Sequence, residues 1–141
     1  MWDIFSDNFH DILRLSREEA LRLGHNYMGA EHFLLGILRE GDGITVKTLR
    51  DLGVDILKLK KAIEEAVPIS GRTITMRNIP LTEQAENILK TTKREAKFYK
   101  SKVIDTEHLL LSLMHHDDNI AAQLLHQFNV HYDDVKTKFK T

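Results

Sequence analysis

The sequence predicts an all-α fold made of two gapless copies of one four-helix motif, about eight helices related by pseudo-twofold symmetry. Three observations carry this: an internal repeat, apolar residues at helical spacing within each copy, and both prolines confined to one joining stretch. Moving Ser6 onto Thr82, a shift of 76 positions, aligns the two halves without a gap through Ile63 and Phe139. Identical pairs include Ile12/Ile88, Leu13/Leu89, Glu19/Glu95, Ala20/Ala96, Glu31/Glu107, His32/His108, Leu34/Leu110, Leu35/Leu111 and Val54/Val130. Most are apolar positions suited to a core.

The first helix of each copy starts after a hydroxyl N-cap, Ser6 or Thr82, whose oxygen can accept an orphan backbone N–H of the first turn, and runs to about Leu23 or Tyr99. Phe9, Ile12, Leu13, Ser16, Ala20 and Leu23 then share one stripe, and Gly24 ends the helix. The second helix, Glu31 to Arg39 with counterpart Glu107 to His115, is short and apolar through Phe33-Leu34-Leu35-Gly36-Ile37-Leu38, the pattern of an element buried on most sides. After Gly41-Asp42-Gly43 a third helix carries Ile44, Val46 and Leu49, and Gly53 closes it. Asp55 caps a fourth, with Ile56, Leu59, Ala62, Ile63 and Ala66 expected inward and its lysines in water.

The 141 residues are expected to form a single domain, with repeat one at 5–66, a linker at 67–80 and repeat two at 81–140. The linker holds Pro68, Gly71 and Pro80, so it is expected to be ordered at its ends and mobile in its middle. Half a chain of this size could hardly bury enough apolar surface alone, so the copies are expected to pack face to face.

Composition excludes several function classes. The 20 Lys and Arg nearly cancel 21 Asp and Glu, leaving a formal charge of −1 and no long-range field to recruit nucleic acid or anionic membrane. The absence of cysteine excludes a disulfide framework, a thiolate metal site and a Cys nucleophile. The N-terminus has no basic region followed by an apolar run, and no stretch approaches the length of a membrane span, so a soluble, cytoplasmic, unexported domain is expected.

Several segments imitate chemistry. Gly24 to Gly29 has the glycine spacing of a phosphate loop, but Ala30-Glu31 stands where that motif needs Lys and Ser or Thr, which favours a plain turn. His115-His116-Asp117-Asp118 could suggest a metal, yet adjacent helical residues point about 100° apart, and a solvated helix end accounts for them. No serine sits in a nucleophile elbow. The expectation is a domain with no catalytic residues, no metal and no cofactor of its own.

Polar residues also recur: Ala30-Glu31-His32 against Thr106-Glu107-His108. Glu31 and Glu107 lie in the first turn of a buried helix, where a carboxylate complements the helix dipole and needs no ligand, just as Ser6 and Thr82 serve as caps. His32 and His108 are read most simply as partly buried rings whose N–H bonds a neighbouring carbonyl. The functional alternative gathers the starts of the first two helices, offering free N–H groups to an anion beside a carboxylate that can fork a guanidinium. An arginine-phosphate side chain has that zwitterionic character.

The stretch Glu19-Ala20-Leu21-Arg22-Leu23-Gly24-His25-Asn26-Tyr27-Met28-Gly29-Ala30-Glu31-His32-Phe33-Leu34-Leu35-Gly36-Ile37-Leu38-Arg39-Glu40-Gly41-Asp42-Gly43 resembles the double Clp N-terminal repeat, most closely that of ClpC-type ATPases, and the resemblance covers nearly the whole chain. It implies a domain normally fused to two ATPase modules, where ATP and Mg would bind. Such a domain receives protein substrates and adaptor proteins before an unfolding ring feeds a ClpP-type protease. It also implies an isolated monomer cut from a hexameric parent, with a linker beginning near Lys138-Phe139-Lys140-Thr141. In ClpC relatives of Gram-positive bacteria the domain binds phosphoarginine at two equivalent sites, and the matching positions are Ser6 with Glu31 and Thr82 with Glu107. Ser6 and Ala30 stand where the family has Thr, and Lys100-Ser101-Lys102 stands where it prefers Gly-His. The runner-up is a helical protein-interaction or transcription-regulator module unrelated to proteolysis.

Overall fold

The computed structural model describes residues 4–41, 43–71 and 78–140. Among these described residues the stripe and cap signals produce eight helices: α1 (Asp7–Arg22), α2 (Ala30–Glu40), α3 (Ile44–Asp51), α4 (Ile56–Ala66), α5 (Glu83–Phe98), α6 (Thr106–His115), α7 (Ile120–Gln127) and α8 (Tyr132–Lys140). Every helix of the first half has its counterpart at the repeat offset, so the fold is all-α and doubled. The expectation of a mobile middle for the linker falls on 72–77, outside the described residues.

Caps act where the sequence placed them. Ser6 Oγ accepts the Phe9 N–H at 3.0 Å, Thr82 Oγ1 accepts the Ala85 N–H at 3.0 Å, and Asp55 Oδ1 accepts the Lys58 N–H at 3.2 Å. Gly24, with φ of 72°, and Gly53, with φ of 91°, close α1 and α3 in the left-handed region. Their counterparts in the second half are Lys100 (φ 55°) and Asn129 (φ 63°). Asn tolerates that conformation through its short polar side chain, whereas Lys bears the steric cost of its Cβ.

The central pair is α2 and α6, which touch each other and are wrapped by the outer helices of both halves: α7 lies on α2 and α3 on α6. Phe33, Leu34, Leu35 and Ile37 of α2, and Leu109 to Leu111 and Leu113 of α6, are buried on all sides, as their apolar runs predict. Ala66 departs from expectation and is exposed. It is the last residue of α4, and the chain peels away there so that Val67 fills the buried position.

Close approach of α1 and α2 depends on Gly36. A Cβ there would collide with Ser16 Oγ and lie 2.8 Å from the Ile12 carbonyl oxygen. The second half solves the same crossing with Ser112, whose hydroxyl donates to the Ile88 carbonyl at 2.5 Å.

Two isolated parallel bridges cross between the halves, Phe5 with Ile104 and Leu81 with Met28. Ser6 N–H donates to Ile104 O at 2.9 Å and Ile104 N–H to Ile4 O at 2.7 Å. In the mirror arrangement Thr82 N–H donates to Met28 O at 2.9 Å and Met28 N–H to Pro80 O at 2.9 Å. The stretch leading into each long helix is therefore paired to the helix-joining turn of the other repeat, the relation a pseudo-twofold axis imposes.

Gly36→Val is expected to lower stability by about 1–3 kcal/mol, because neither Ser16 nor the Ile12 backbone can retreat inside a packed crossing. Calorimetric melting checks it. Lys100→Gly is expected to raise stability by about 1 kcal/mol by removing Cβ strain, as Gly24 does in the first half. Urea denaturation of the two proteins is the measurement.

Candidate functional site

The exchanged bridges decide which groups share an end. Ser6, the cap of α1, lies on the turn before α6, and its hydroxyl donates to Asp105 Oδ1 at 2.7 Å. Thr82, the cap of α5, lies on Met28, the residue before Gly29 at the start of α2. The pairing of Ser6 with Glu31 and of Thr82 with Glu107 is thus corrected: the partners are exchanged, Ser6 joining the end that bears Glu107 and Thr82 the end that bears Glu31. The physical reason is that both caps are fixed by hydrogen bonds reaching across the axis.

Glu31 and Glu107 are half-buried, and among the described residues neither has a cationic partner. Burial pushes the Glu31 carboxyl up, against the smaller pull of its own backbone N–H and of His25. Burial likewise raises Glu107, and the neighbouring Asp105 carboxylate raises it further. A carboxylate held partly out of water without a countercharge stands ready for a cation.

The residue before the central helix sets the two ends apart. Gly29 leaves room for the Glu31 carboxylate to fold back over the start of α2; any Cβ there would strike Glu31 Oε1. No N-cap side chain bonds the start of α2; the Glu31 carboxylate takes its own backbone N–H, and the His32 and Phe33 N–H groups bond Gly29 O, which leaves the Ala30 N–H without an acceptor among the described residues. At the other end Asp105 replaces Gly29, and its own carboxylate takes the Thr106 N–H at 2.7 Å as well as the Ser6 hydroxyl. That end already holds an anion. Thr82 Oγ1 accepts only the Ala85 N–H, and its hydroxyl proton has no acceptor among the described residues.

Beneath each carboxylate lies a histidine. His32 is fully buried and His108 is 4% exposed. Contrary to expectation, their rings do not donate to a carbonyl: His32 Nδ1 accepts the Gly29 N–H at 2.9 Å, and His108 Nδ1 accepts the Asp105 N–H at 2.9 Å. With Nδ1 of His32 occupied as an acceptor, its proton sits on Nε2 and is shared with His25 Nδ1 at 2.8 Å. The His25 proton then sits on Nε2, 3.1 Å from the Pro68 carbonyl oxygen. Tyr27 stacks on His25 with centroids 5.3 Å apart and planes at 13°. Burial, and then Glu31, push the Tyr27 phenol up. This chain of rings anchors the first residues of the linker, and Ser70 adds a bond from its N–H to Leu23 O at 3.0 Å. In the second half Ser101 stands in place of His25, and a cavity of about 350 Å³ opens beside Glu107, His108 and Phe139.

Sequence reasoning singled out Glu31, Glu107 and both caps but assigned no role at these ends to His25, Tyr27 or Asp105, which the structure places beside them. Asp105 was legible as a signal, being the one charged residue replacing a glycine just before the repeated Glu-His pair.

Residues 4–128 match the family model of the Clp repeat (R) N-terminal domain, and residues 80–141 match it a second time. The chain belongs to the Clp N-terminal domain family. Over 131 residues it is 37% identical to the negative regulator of genetic competence ClpC/MecB of Bacillus subtilis, with 92% of this chain and 16% of that protein covered. Over 130 residues it is 36% identical to the chaperone protein ClpB of Oceanobacillus iheyensis, again covering 92% of this chain and 16% of the relative. This Clp N-domain thus spans about one-sixth of the length of these relatives. The Hsp104 N-terminal domain from Candida albicans shares its fold with a TM-score of 0.80 at 17% identity, covering 96% of this chain and 88% of that one. Among the described residues, no helix is long and apolar enough to cross a membrane.

Burial, followed by the neighbouring His25, holds His32 down at about 4. The neutral ring is therefore the folded form. Between about pH 6.5 and pH 4 the unfolded chain binds a proton here that the folded chain lacks, so acidification through that window removes roughly 3 kcal/mol of stability. Imidazole proton resonances followed by NMR are expected to show His32 unchanged from neutral pH to about pH 5.

Proposed function

We propose that this Clp N-domain receives protein substrates and adaptor proteins for a Clp-type ATP-dependent unfoldase that feeds a ClpP-type protease. It reads phosphoarginine on marked proteins at the end built from Thr82, Gly29 and Glu31. The domain itself contributes recognition without catalysis; ATP and Mg belong to ATPase modules of a hexameric, cytoplasmic parent, and the isolated domain is a monomer.

One observation carries the recognition step: a half-buried carboxylate without a countercharge, Glu31, lies on the start of α2, where no N-cap side chain intervenes, on the end that also bears a hydroxyl with a spare proton. Glu31 forks the guanidinium. The Ala30 N–H at the start of α2 and the Thr82 hydroxyl take phosphoryl oxygens as charge-assisted hydrogen bonds. The opposite end, with Asp105 beside Glu107, presents two carboxylates and a hydroxyl already engaged. Its charge repels a phosphoryl group, so the two ends are unequal receptors.

Titration calorimetry with a phosphoarginine peptide is expected to give a stoichiometry near one rather than two. Removing the guanidinium partner by Glu31→Ala is expected to weaken binding by about tenfold or more, and Glu107→Ala by much less. Equal losses from the two variants, or no saturable binding, would reject the assignment.

A further inference from the structure

The two halves differ most in a cleft formed by the outer end of the long helix, the end of the central helix and the start of the fourth helix. In the first half a cleft of about 450 Å³ at the same place is lined by charged side chains, most of them ion-paired: Glu18, Glu19, Arg22, Arg39 and Lys60. The Arg22 guanidinium forks the buried Glu19 at 3.0 Å from both Nε and Nη2 and reaches Glu64 at 2.5 Å. Arg39 meets Glu18 at 2.9 Å, and Arg14 meets the other Glu18 oxygen at 2.8 Å. Every carboxylate in it has a cation.

In the second half the same positions carry different chemistry. Phe98 replaces Arg22 and is 70% exposed. Arg94 replaces Glu18, inverting the charge where a carboxylate had bridged two arginines, and Arg94 has no ion-pair partner among the described residues. The buried Glu95 is satisfied from within: the Tyr132 hydroxyl lies 3.0 and 3.1 Å from its two oxygens, and His115 Nδ1 lies 3.7 Å away. Lys136 Nζ sits 5.7 Å from the Phe98 ring centroid. The result is a cleft of similar size, about 440 Å³, with an aromatic wall, a buried carboxylate held by a phenol in its floor and a cationic mouth. Lys90 on α5 and Asp133 and Asp134 at the start of α8 do not line it.

We infer that this cleft is a docking site for an acidic segment of a partner protein, one that presents a carboxylate beside an apolar side chain. The carboxylate takes the place that Glu18 holds in the first half, now between Arg94 and Lys136 or His115, and the apolar side chain covers Phe98. Charge complementarity selects this occupant: the mouth carries Arg94 and Lys136, while the carboxylate among the lining residues, Glu95, is buried beneath Tyr132, so the mouth repels a basic segment, and its exposed ring favours a peptide over a bare anion. The site is independent of the arginine-phosphate ends, with which it shares no residue.

The test is a two-dimensional amide NMR titration of the whole chain with a synthetic peptide of alternating Asp or Glu and Leu or Phe. Shifts are expected at the end of α5, the end of α6 and the start of α8. Arg94→Glu with Lys136→Glu, both on the surface side of their helices, is expected to weaken binding roughly tenfold or more. Phe98→Arg removes the aromatic wall, places a guanidinium beside Glu95 as Arg22 stands beside Glu19, and is expected to weaken binding roughly tenfold while leaving the far-UV circular dichroism unchanged. Replacing the peptide's acids by Asn and Gln should abolish the shifts. Binding that survives these substitutions, shifts located elsewhere, or equal effects of tripolyphosphate or duplex DNA on the same amides would each overturn the proposal.

Discussion

Each half of this domain completes its backbone hydrogen bonding with the other half, and the rest of the molecule follows from that exchange. Four N–H groups, those of Ser6, Ile104, Thr82 and Met28, find their acceptors across the axis. A backbone donor buried without an acceptor costs about as much as a lost hydrogen bond, so neither lead-in stretch can settle correctly without the opposite turn. The central helices add the apolar side of the same dependence, since α2 and α6 bury their runs against each other and against outer helices drawn from both repeats. Because the bridges end on the residues just before α2 and α6, they also set which hydroxyl stands beside which carboxylate.

Much of this was legible in the chain. The gapless match, the caps at Ser6, Thr82 and Asp55, and the unbroken apolar run of α2 are local signals, and local signals survive folding when tertiary packing agrees with them. The exchange was not legible, because a repeat shows that two segments are alike and says nothing about which copy each touches. The histidine role was misjudged for a related reason. Whether a ring nitrogen donates or accepts depends on what lies three residues back in the helix start and on His25, brought from the preceding turn; residue type alone leaves both open.

Internal duplication also makes the molecule its own control. Where the halves agree, as at Glu19 and Glu95 or His32 and His108, the common element is a buried polar group that must be satisfied. They satisfy it differently: Glu19 by a forked guanidinium, Glu95 by a phenol whose own ionisation is suppressed first by burial and then by that carboxylate. Removing one partner of a buried charge is costly, so the Arg22 to Phe98 difference required Tyr132 in place of Ile56. Divergence at Gly29 and Asp105 follows the same logic, with a helix start left open in one half and filled by a carboxylate in the other.

The crossing bridges also constrain the order in which the chain can mature on a ribosome. Ile4 and Phe5 emerge early, but their partner Ile104 is made about a hundred residues later, roughly 5–20 s at ordinary translation speeds. The first repeat can form helices in that interval, since those contacts are local, yet its opening stretch stays unpaired until most of the second repeat has been synthesised. Final consolidation is therefore a late, nearly whole-domain event.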